Sequence, residues 1–127
     1  MLKQVPVLVA EDQPFIALDL AFAVEDAGGK VVGPATSSKE ALALLAAGNV
    51  GAAILDVNLV DGDSSALIEV LVGLDIPFIV HTAVDLPSAM TARFSELVVQ
   101  LKPCPAATLI AQLGIMLATR DRASAPA

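Results

Sequence analysis

The sequence predicts an α/β fold in which five parallel strands alternate with five helices in one doubly wound sheet. The first observation is the alternation itself, since short apolar runs and segments of helical periodicity follow one another along the whole chain. The second is the run Ala52–Leu55, which is apolar at every position, as is typical of a central strand covered on both faces. Crossovers between parallel strands are right-handed, so all five strands are expected to point the same way.

Polar residues follow the ends of four of the predicted strands. The strands are Val5–Ala10, Lys30–Gly33, Ala52–Leu55, Ile76–His81 and Leu97–Leu101. Glu11 and Asp12 follow the first, Asp56 the third, Thr82 the fourth and Lys102 the fifth. Ligands of open α/β sheets bind at the carboxyl ends of the strands, so we expect these side chains to meet at that edge.

The first helix is predicted from Pro14 to the pair Gly28-Gly29. Proline fits a first helical turn, where its missing N–H costs no hydrogen bond, and glycine often ends a helix. The residues expected on its apolar, buried face are Phe15, Leu18, Ala21 and Phe22, with Asp19, Glu25 and Asp26 facing solvent.

Four further helices are predicted from capping and turn residues. Ser37 and Glu40 have the spacing of a capping box, and the helix that they open ends at Gly48. The third helix runs from Ser65 to Val72, and the fourth begins at Pro87 with Met90 and Phe94 in the core. The last begins at Pro105. Its expected apolar residues are Leu109, Ile110, Leu113, Ile115, Met116 and Leu117, and Arg120 and Arg122 lie near its negative end.

Composition excludes several classes of function. The net charge of -7 disfavours a nucleic-acid surface, which needs clustered Lys and Arg. Cys104 is the single cysteine, so an intrachain disulfide and a multi-cysteine zinc site are excluded, and we interpret it as a buried or half-buried thiol. No apolar run reaches the ~18 residues of a membrane helix and no secretion signal is evident, so we expect a cytoplasmic protein. One domain is expected over residues 1–120, with a short flexible tail over 121–127.

The expected cluster of Glu11, Asp12 and Asp56 favours a divalent cation. Like charges held close together raise each other's pKa, and Mg²⁺ relieves that repulsion with a few carboxylates, a main-chain carbonyl and waters. Lys102 adds a positive charge, so the site is suited to a phosphoryl group. Asp56 is the best placed nucleophile for an aspartyl-phosphate, and Thr82 could donate a hydrogen bond to its oxygens.

These residues resemble the receiver domain of two-component response regulators. The motifs that carry the resemblance are, in chain order, Glu11-Asp12, Asp56 to Gly62, Thr82-Ala83 and Lys102-Pro103. Each motif alone is weak, but together they span nearly the whole chain, with one motif at each of four strand ends. The resemblance implies a flavodoxin-like sheet with strand order 2-1-3-4-5.

The resemblance also implies a function and a set of roles. Asp56 is the phosphoacceptor, and its donor is a phosphohistidine on a sensor histidine kinase or a histidine phosphotransfer protein. The implied Mg²⁺ ligands are Glu11 through water, Asp12, Asp56 and the main-chain carbonyl of Asn58, while Thr82 and Lys102 contact the phosphoryl group. The Lys102–Pro103 bond is expected to be cis, which proline permits. The protein is expected to catalyse only its own phosphotransfer and autodephosphorylation.

The implied output is a protein-binding face on helix 4, strand 5 and helix 5, with an unknown protein partner and homodimer formation left open. Val99 departs from the family pattern, because the family usually has a Tyr or Phe three residues before the lysine. The segment from Thr82 to Lys102 is shorter than usual, so the fourth helix is expected to be short or irregular. By its position in the resemblance, Val84 is expected to shield the phosphoryl group from water.

Two alternative functions remain open. A degenerate receiver-like interaction module that takes no phosphate is favoured by Val99 and disfavoured by the complete acid, Thr and Lys set. A Mg²⁺-dependent phosphohydrolase with an Asp nucleophile needs a second acid two residues after Asp56, and Asn58 occupies that position. The lone His81 is interpreted as a hydrogen-bonded structural residue rather than a phosphocarrier.

Overall fold

The computed structural model describes residues 2–83, 86, 88–94 and 97–124, with side chains up to residue 120. The strands of the main sheet are β1 (Pro6–Ala10), β2 (Lys30–Ala35), β3 (Ala52–Leu55), β4 (Phe78–Thr82) and β5 (Val99–Leu101). The helices are α1 (Pro14–Asp26), α2 (Ser38–Ala46), α3 (Ser65–Gly73), α4 (Ser88–Arg93) and α5 (Ala106–Ser124). None of the described helices is both long enough and apolar enough to span a lipid bilayer.

The sheet confirms the predicted doubly wound topology. Its strand order is β2-β1-β3-β4-β5, and every neighbouring pair is parallel. Alternate side chains of a strand face opposite layers. Leu8 and Leu55 pack with residues of α2 and α3, whereas Val7 and Ile54 pack with residues of α1 and α5. All four residues of the central strand β3 are buried, which explains its uninterrupted apolar sequence.

The strand register aligns the carboxyl ends at one edge. Ala10 lies opposite Leu55 between β1 and β3, and the main-chain N–H of Asp56 donates to the carbonyl of Ala10 at 2.9 Å. Thr82 lies opposite Leu101 between β4 and β5. The residues that follow these strands therefore start from the same level of the sheet.

Helix α1 buries a different face from the predicted one. Its buried residues are Ala17, Leu20 and Val24, and the last two belong to the core between the sheet and α5. The side chains of Phe15, Leu18 and Phe22 are instead 88%, 55% and 66% exposed, so their assignment to the core was wrong. Both sets have the i, i+3, i+7 spacing of a helix face. The small side chain of Ala17 lets α1 approach the sheet more closely than a phenylalanine would.

Helix α5 is longer than predicted and buries fewer residues. Ile115 is exposed, contrary to the prediction, whereas Leu109, Ile110 and Leu113 are buried as expected. The helix continues to Ser124 and so includes residues 121–124, which the sequence assigned to the tail. Arg120 contacts the main-chain carbonyl and the carboxylate of Asp75, and the side chain of Arg122 lies outside the described residues.

Helix α4 is short, in line with the expectation, and has only 6 residues. Met90 of this helix is buried in the core, and Phe94, which follows the helix, is partly buried against the same core. The predicted helix start at Pro87 and the predicted shield at Val84 lie outside the described residues.

Candidate functional site

A cavity at the carboxyl edge of the sheet contains most of the predicted site residues. Its volume is about 200 Å³, and it is lined by Asp12, Gln13, Asp56, Asn58, Thr82, Ala83 and Lys102. These residues follow or end β1, β3, β4 and β5, which are four different strands. The convergence expected from the sequence is therefore present.

Lys102 is the centre of the polar contacts in this cavity. Its ammonium nitrogen Nζ lies 2.9 Å from Oδ2 of Asp56 and 2.9 Å from Oε1 of Glu11. The same nitrogen donates to Oε1 of Gln13 at 2.9 Å. Burial alone lowers the pKa of Lys102, but the hydrogen bonds to Asp56 and Glu11, together with the negative charges of both carboxylates, outweigh burial and raise the pKa above its usual range. The side chain is therefore a fixed positive charge at physiological pH.

Glu11 is a buried carboxylate with only 1% of its surface exposed. Its Oε2 accepts a hydrogen bond from the main-chain N–H of Gln13 at 3.2 Å. Burial raises the pKa of Glu11, and the nearby charge of Asp56 adds to the increase, against the opposing effects of Lys102 and Gln13. The ionised form of Glu11 is therefore costly and would be favoured by a further positive charge.

The carboxylates of Glu11, Asp12 and Asp56 fit a divalent cation. One carboxylate oxygen from each residue lies within 4.8 Å of the other two. Three ionised carboxylates and one lysine leave a formal charge of -2, which a divalent cation neutralises. Among the described residues the cluster contains no His or Cys, so its hard oxygen donors suit Mg²⁺ better than a softer metal.

The segment after Asp56 folds back as a hairpin. Asn58–Leu59 and Gly62–Asp63 form a two-residue antiparallel ladder, and Gly62 takes a φ of 122°, in the region that favours glycine. The main-chain N–H of Asn58 donates to Oδ1 of Asp56 at 3.4 Å. The hairpin therefore keeps the backbone of Asn58 beside the carboxylate of Asp56. The main-chain carbonyl of Asn58 and that carboxylate would be ligands of the same cation.

Thr82 and Lys102 are joined through the backbone. The main-chain N–H of Lys102 donates to the carbonyl of Thr82 at 2.7 Å, and the bond from Lys102 to Pro103 is cis, as expected. Thr82 is 1% exposed and lines the same cavity as Asp56. Thr82 and Lys102 thus both line the cavity that contains Asp56, the expected acceptor of a phosphoryl group.

His81 departs from its expected hydrogen-bonded role. The ring is 4% exposed, yet neither of its nitrogens has a hydrogen-bond partner within the described part of the chain. Burial, followed by the positive charge of Lys102, lowers the pKa of His81. The imidazole is therefore held neutral, and it faces a second cavity of about 170 Å³ that Cys104 also lines. Cys104 is half-buried, as predicted.

Two residues of this region were missed by the sequence analysis. Gln13 contacts Lys102, but its position after the acid pair carries no pattern that predicts the contact. Asp61 accepts hydrogen bonds from the start of α2, as described below, and the sequence indicated it only as part of the motif Asp56 to Gly62. Val99, in the position of the family aromatic, is half-buried against the core.

Solved structures related to this chain include members of one signalling family. The chain is 33% identical to SdrG from Sphingomonas melonis Fr1, with 93% of this chain and 99% of SdrG covered and a TM-score of 0.73. It is 34% identical to the response regulator PhyR from Brucella abortus over 94% of this chain and 51% of PhyR, also with a TM-score of 0.73. A CheY-like receiver domain protein from Methanospirillum hungatei JF-1 is 20% identical and shares the fold, with a TM-score of 0.83, 94% of this chain and 98% of that protein covered. The chain belongs to the response regulator receiver domains.

Two further comparisons define the extent of the likeness. No family model matches this receiver domain. Among curated proteins, the phyllosphere-induced regulator PhyR of Methylorubrum extorquens is 35% identical over 80 residues, which are 61% of this chain and 30% of that protein. The receiver domain thus spans 51% of the length of the first of these PhyR relatives and 30% of the length of the second. The family recognised from the motifs at the strand ends is confirmed.

Proposed function

We propose that this receiver domain accepts a phosphoryl group on Asp56 from a phosphohistidine donor, as part of a two-component or phosphorelay system. The observation that carries the proposal is the 2.9 Å contact between Nζ of Lys102 and Oδ2 of Asp56, beside the carboxylates of Glu11 and Asp12. An acceptor carboxylate must be ionised and must have positive charge nearby to receive an anionic group. Lys102 supplies part of that charge within the protein.

The proposed Mg²⁺ ligands are Asp12, Asp56, the main-chain carbonyl of Asn58 and, through water, Glu11. When bound, the ion offsets the charge of the carboxylates and of the incoming phosphoryl oxygens. The raised pKa of Glu11 supports this assignment, because burial makes its charge costly without a further cation. Lys102 remains paired with the acids and keeps the cluster from carrying three uncompensated negative charges.

In the transfer, an oxygen of Asp56 attacks the phosphorus atom of the donor phosphohistidine. A new O–P bond forms while the P–N bond breaks, and its electron pair stays on the imidazole nitrogen, which solvent then protonates. Lys102 and the Thr82 hydroxyl contact the phosphoryl oxygens. Asp56 is 8% exposed, so protein groups replace most of the water around the reacting carboxylate. Later attack of water on phosphorus returns inorganic phosphate and free Asp56, which is the autodephosphorylation expected of the domain.

An exposed apolar stripe on α1, formed by Phe15, Leu18 and Phe22, supports a protein as the phosphodonor. α1 begins two residues after Asp12, and Gln13 at its N-cap contacts Lys102. The stripe therefore begins two residues after Gln13, which lines the cavity that contains Asp56. Contiguous exposed apolar side chains mark interaction sites, and a donor that docks here would have its histidine within reach of the acceptor.

The alternative functions have weaker support. A phosphohydrolase needs an acid at Asn58, and an amide cannot protonate a leaving group. In a degenerate module, the buried acids beside Lys102 would lower stability without serving phosphate or cation binding, because the ionised forms of these acids are costly in a buried site. Val99 remains the one feature that favours a degenerate output, because a half-buried valine cannot make the rotation that an aromatic side chain makes.

The scope of the proposal follows the same reasoning. We assign the receiver unit to residues 1–120 and a location in the cytoplasm, where the donor is expected. The output is proposed to reach a downstream protein rather than nucleic acid, since the net charge of -7 opposes contact with phosphates.

Intact-mass spectrometry after incubation with acetyl phosphate and Mg²⁺ tests the proposal. The wild-type chain should gain the mass of one phosphoryl group, chelation of Mg²⁺ should prevent the gain, and Asp56→Asn should abolish it. Asp63→Asn is a matched control, because it removes one carboxylate from the same loop and should leave the gain intact. Failure of the wild type with acetyl phosphate and with a panel of histidine kinases would leave the degenerate module as the better description. Continuous turnover of a phosphate ester would indicate the hydrolase.

A further inference from the structure

Asp61 fastens the loop that follows the phosphoacceptor to the start of α2. Its Oδ1 accepts a hydrogen bond from the main-chain N–H of Ser38 at 2.8 Å, and its Oδ2 accepts one from the N–H of Lys39 at 3.0 Å. These N–H groups belong to the first turn of α2, where a helix has no internal acceptors for them. The next N–H, from Glu40, donates to Oγ of Ser37 at 3.0 Å, as the predicted capping box requires.

Two more hydrogen bonds join the same two segments. The main-chain N–H of Val60 donates to the carbonyl of Thr36 at 3.1 Å, and Oγ of Ser38 donates to the carbonyl of Asp63 at 3.4 Å. Because Ser37 already caps the helix, the contacts of Asp61 do more than end it. Together with the hydrogen bonds of Val60 and Asp63, they attach both sides of the hairpin turn to the junction between β2 and α2.

The hairpin in turn determines where Asn58 lies. Asn58 is paired with Asp63 in the two-residue ladder, and its N–H donates to Oδ1 of Asp56. The N–H of Ser64 donates to the carbonyl of Val57 at 2.8 Å, which closes the loop behind this ladder. A chain of main-chain contacts therefore leads from α2 through the hairpin to the phosphoacceptor.

The charge of Asp61 suits this role. The hydrogen bonds from the N–H groups of Ser38 and Lys39 lower the pKa of its carboxyl, so the side chain is ionised at neutral pH. A carboxylate at the positive end of a helix also interacts favourably with the helix dipole. Each oxygen has its own N–H partner, so an amide side chain could satisfy only one of the two donors.

We propose that Asp61 is a positioning residue for the cation site, acting through the hairpin on the main-chain carbonyl of Asn58. This inference rests on the proposed Mg²⁺ site. Loss of the Asp61 carboxylate frees the hairpin from α2. Binding of the ion must then also order the hairpin, and the entropy lost in this ordering weakens the affinity for the ion. Linkage makes the effect reciprocal, and ion binding should therefore slow hydrogen exchange at the amides of Ser38 and Lys39.

The test compares Asp61→Asn with Asp63→Asn. Both variants remove one negative charge from the same loop, so a general electrostatic effect on Mg²⁺ would be equal in the two. The side chain of Asp63 accepts hydrogen bonds from the main-chain N–H and the side chain of Ser65 at the start of α3, and none of its contacts with the described residues reaches α2. The chain has no Trp or Tyr, so the Mg²⁺ dissociation constant is measured by calorimetry or by amide NMR shifts rather than by fluorescence.

We expect Asp61→Asn to weaken Mg²⁺ binding on the order of 5- to 10-fold, at the lower end of the effect of residues that orient metal ligands. Asp63→Asn should change it by less than about 2-fold. Hydrogen exchange of the Val60 amide, measured without Mg²⁺, should speed up in Asp61→Asn alone. A residue that merely caps α2 would lower the melting temperature and leave the Mg²⁺ constant unchanged, and that result overturns the inference.

Failure of the inference and failure of the proposed function are distinguishable. If the wild type binds Mg²⁺ and both variants weaken binding equally, Asp61 has no positioning role, although the cation site stands. If the wild type binds no Mg²⁺, the proposed function fails and the positioning role at a cation site fails with it. The exchange rate of Val60 then still decides whether Asp61 holds the hairpin.

Discussion

The ammonium nitrogen of Lys102 lies 2.9 Å from the carboxylate of Asp56, although 46 positions separate the two residues in the sequence. The contact joins the end of the edge strand β5 to the end of the central strand β3, across β4. It depends on the parallel order of the sheet, which places both residues at the same edge. Replacements at this pair should therefore change stability as well as chemistry.

Replacing Lys102 by Met should destabilise the fold by about 3 kcal/mol at pH 7.5, because two buried carboxylates lose their counter-charge. The loss should be smaller at pH 5, because Glu11, whose pKa is raised, takes up a proton more readily there. Urea unfolding at the two pH values measures the difference. Lys39→Met, at an exposed position on α2, is the control and should change stability by less than about 0.5 kcal/mol. Equal losses at both pH values would contradict the account of the cluster.

Replacing Glu11 by Gln should stabilise the metal-free protein on the order of 1 kcal/mol at pH 8, a common gain when a functional site is relieved of strain. The folded-state pKa of Glu11 is raised, so its contribution to stability is present below its unfolded value of 4.5 and is lost as the pH rises. The advantage of the variant should accordingly grow from pH 5 to pH 8 in chemical denaturation.

The same variant should lose part of the stabilisation that Mg²⁺ gives to the wild type. A ligand that binds only the folded state raises the free energy of unfolding by RT ln(1 + [L]/Kd), so a weaker affinity gives a smaller rise in melting temperature. Melting curves with and without Mg²⁺ measure this second effect. A variant that is less stable than the wild type at pH 8, with an unchanged response to Mg²⁺, would refute the role given to Glu11.

His81 should make the protein less stable as the pH falls below 6.5. Burial lowers the folded-state pKa of this residue, so the stability present above its unfolded value of 6.5 is lost as the pH falls through the folded value. His81 is the only histidine, and the pH dependence expected from Glu11 has the opposite sign, so a loss of stability towards low pH in this range can be assigned to His81. His81→Val, which suits a strand and needs no hydrogen bond, should flatten the curve of unfolding free energy between pH 7 and 5.5. A variant with the same slope as the wild type would show that the imidazole titrates normally.

Replacing Phe15 and Phe22 together by Ser should leave the free energy of unfolding nearly unchanged, because both side chains are exposed. The rate of phosphorylation by acetyl phosphate should stay within about 2-fold of the wild-type rate. Phosphotransfer from the protein donor should fall by at least about 10-fold, the effect of losing interface anchors. Radiolabel transfer from the phosphorylated kinase or phosphotransfer protein provides the measurement. Ile115→Ser on α5 removes an equally exposed apolar side chain and is the control. Equal transfer to all three proteins would remove α1 from the docking surface.

The sequence predicted the sheet and the site edge because both depend on local patterns. An apolar run that ends in a carboxylate identifies a strand and its end together, as at β3 and Asp56. The face of α1 could not be predicted in this way, because Phe15, Leu18 and Phe22 have the same spacing as Ala17, Leu20 and Val24. Hydrophobicity alone favours burial of the two phenylalanines. The packing of α1 against the sheet and α5 instead buries the face with the smaller side chains, which includes Leu20 and Val24.

Contacts between distant segments were also beyond the sequence. Asp61 contacts the start of α2, 22 and 23 positions earlier in the chain, and no periodicity links these residues. The same holds for the ring of His81, which has no hydrogen-bond partner among the described residues, since a hydrogen bond to a buried imidazole depends on which neighbours the helices bring. In both cases the residue type was evident and its partner was not.

The place of Lys102 after the three-residue edge strand β5 has a consequence for synthesis of the protein. A nascent chain that has emerged only through β4 already contains Asp56 but lacks the lysine, and its acids repel any phosphate. Under the proposed function, competence to accept a phosphoryl group therefore requires that the last strand has docked. By the same proposal, an incompletely synthesised or misfolded copy would not accept a phosphoryl group from a kinase.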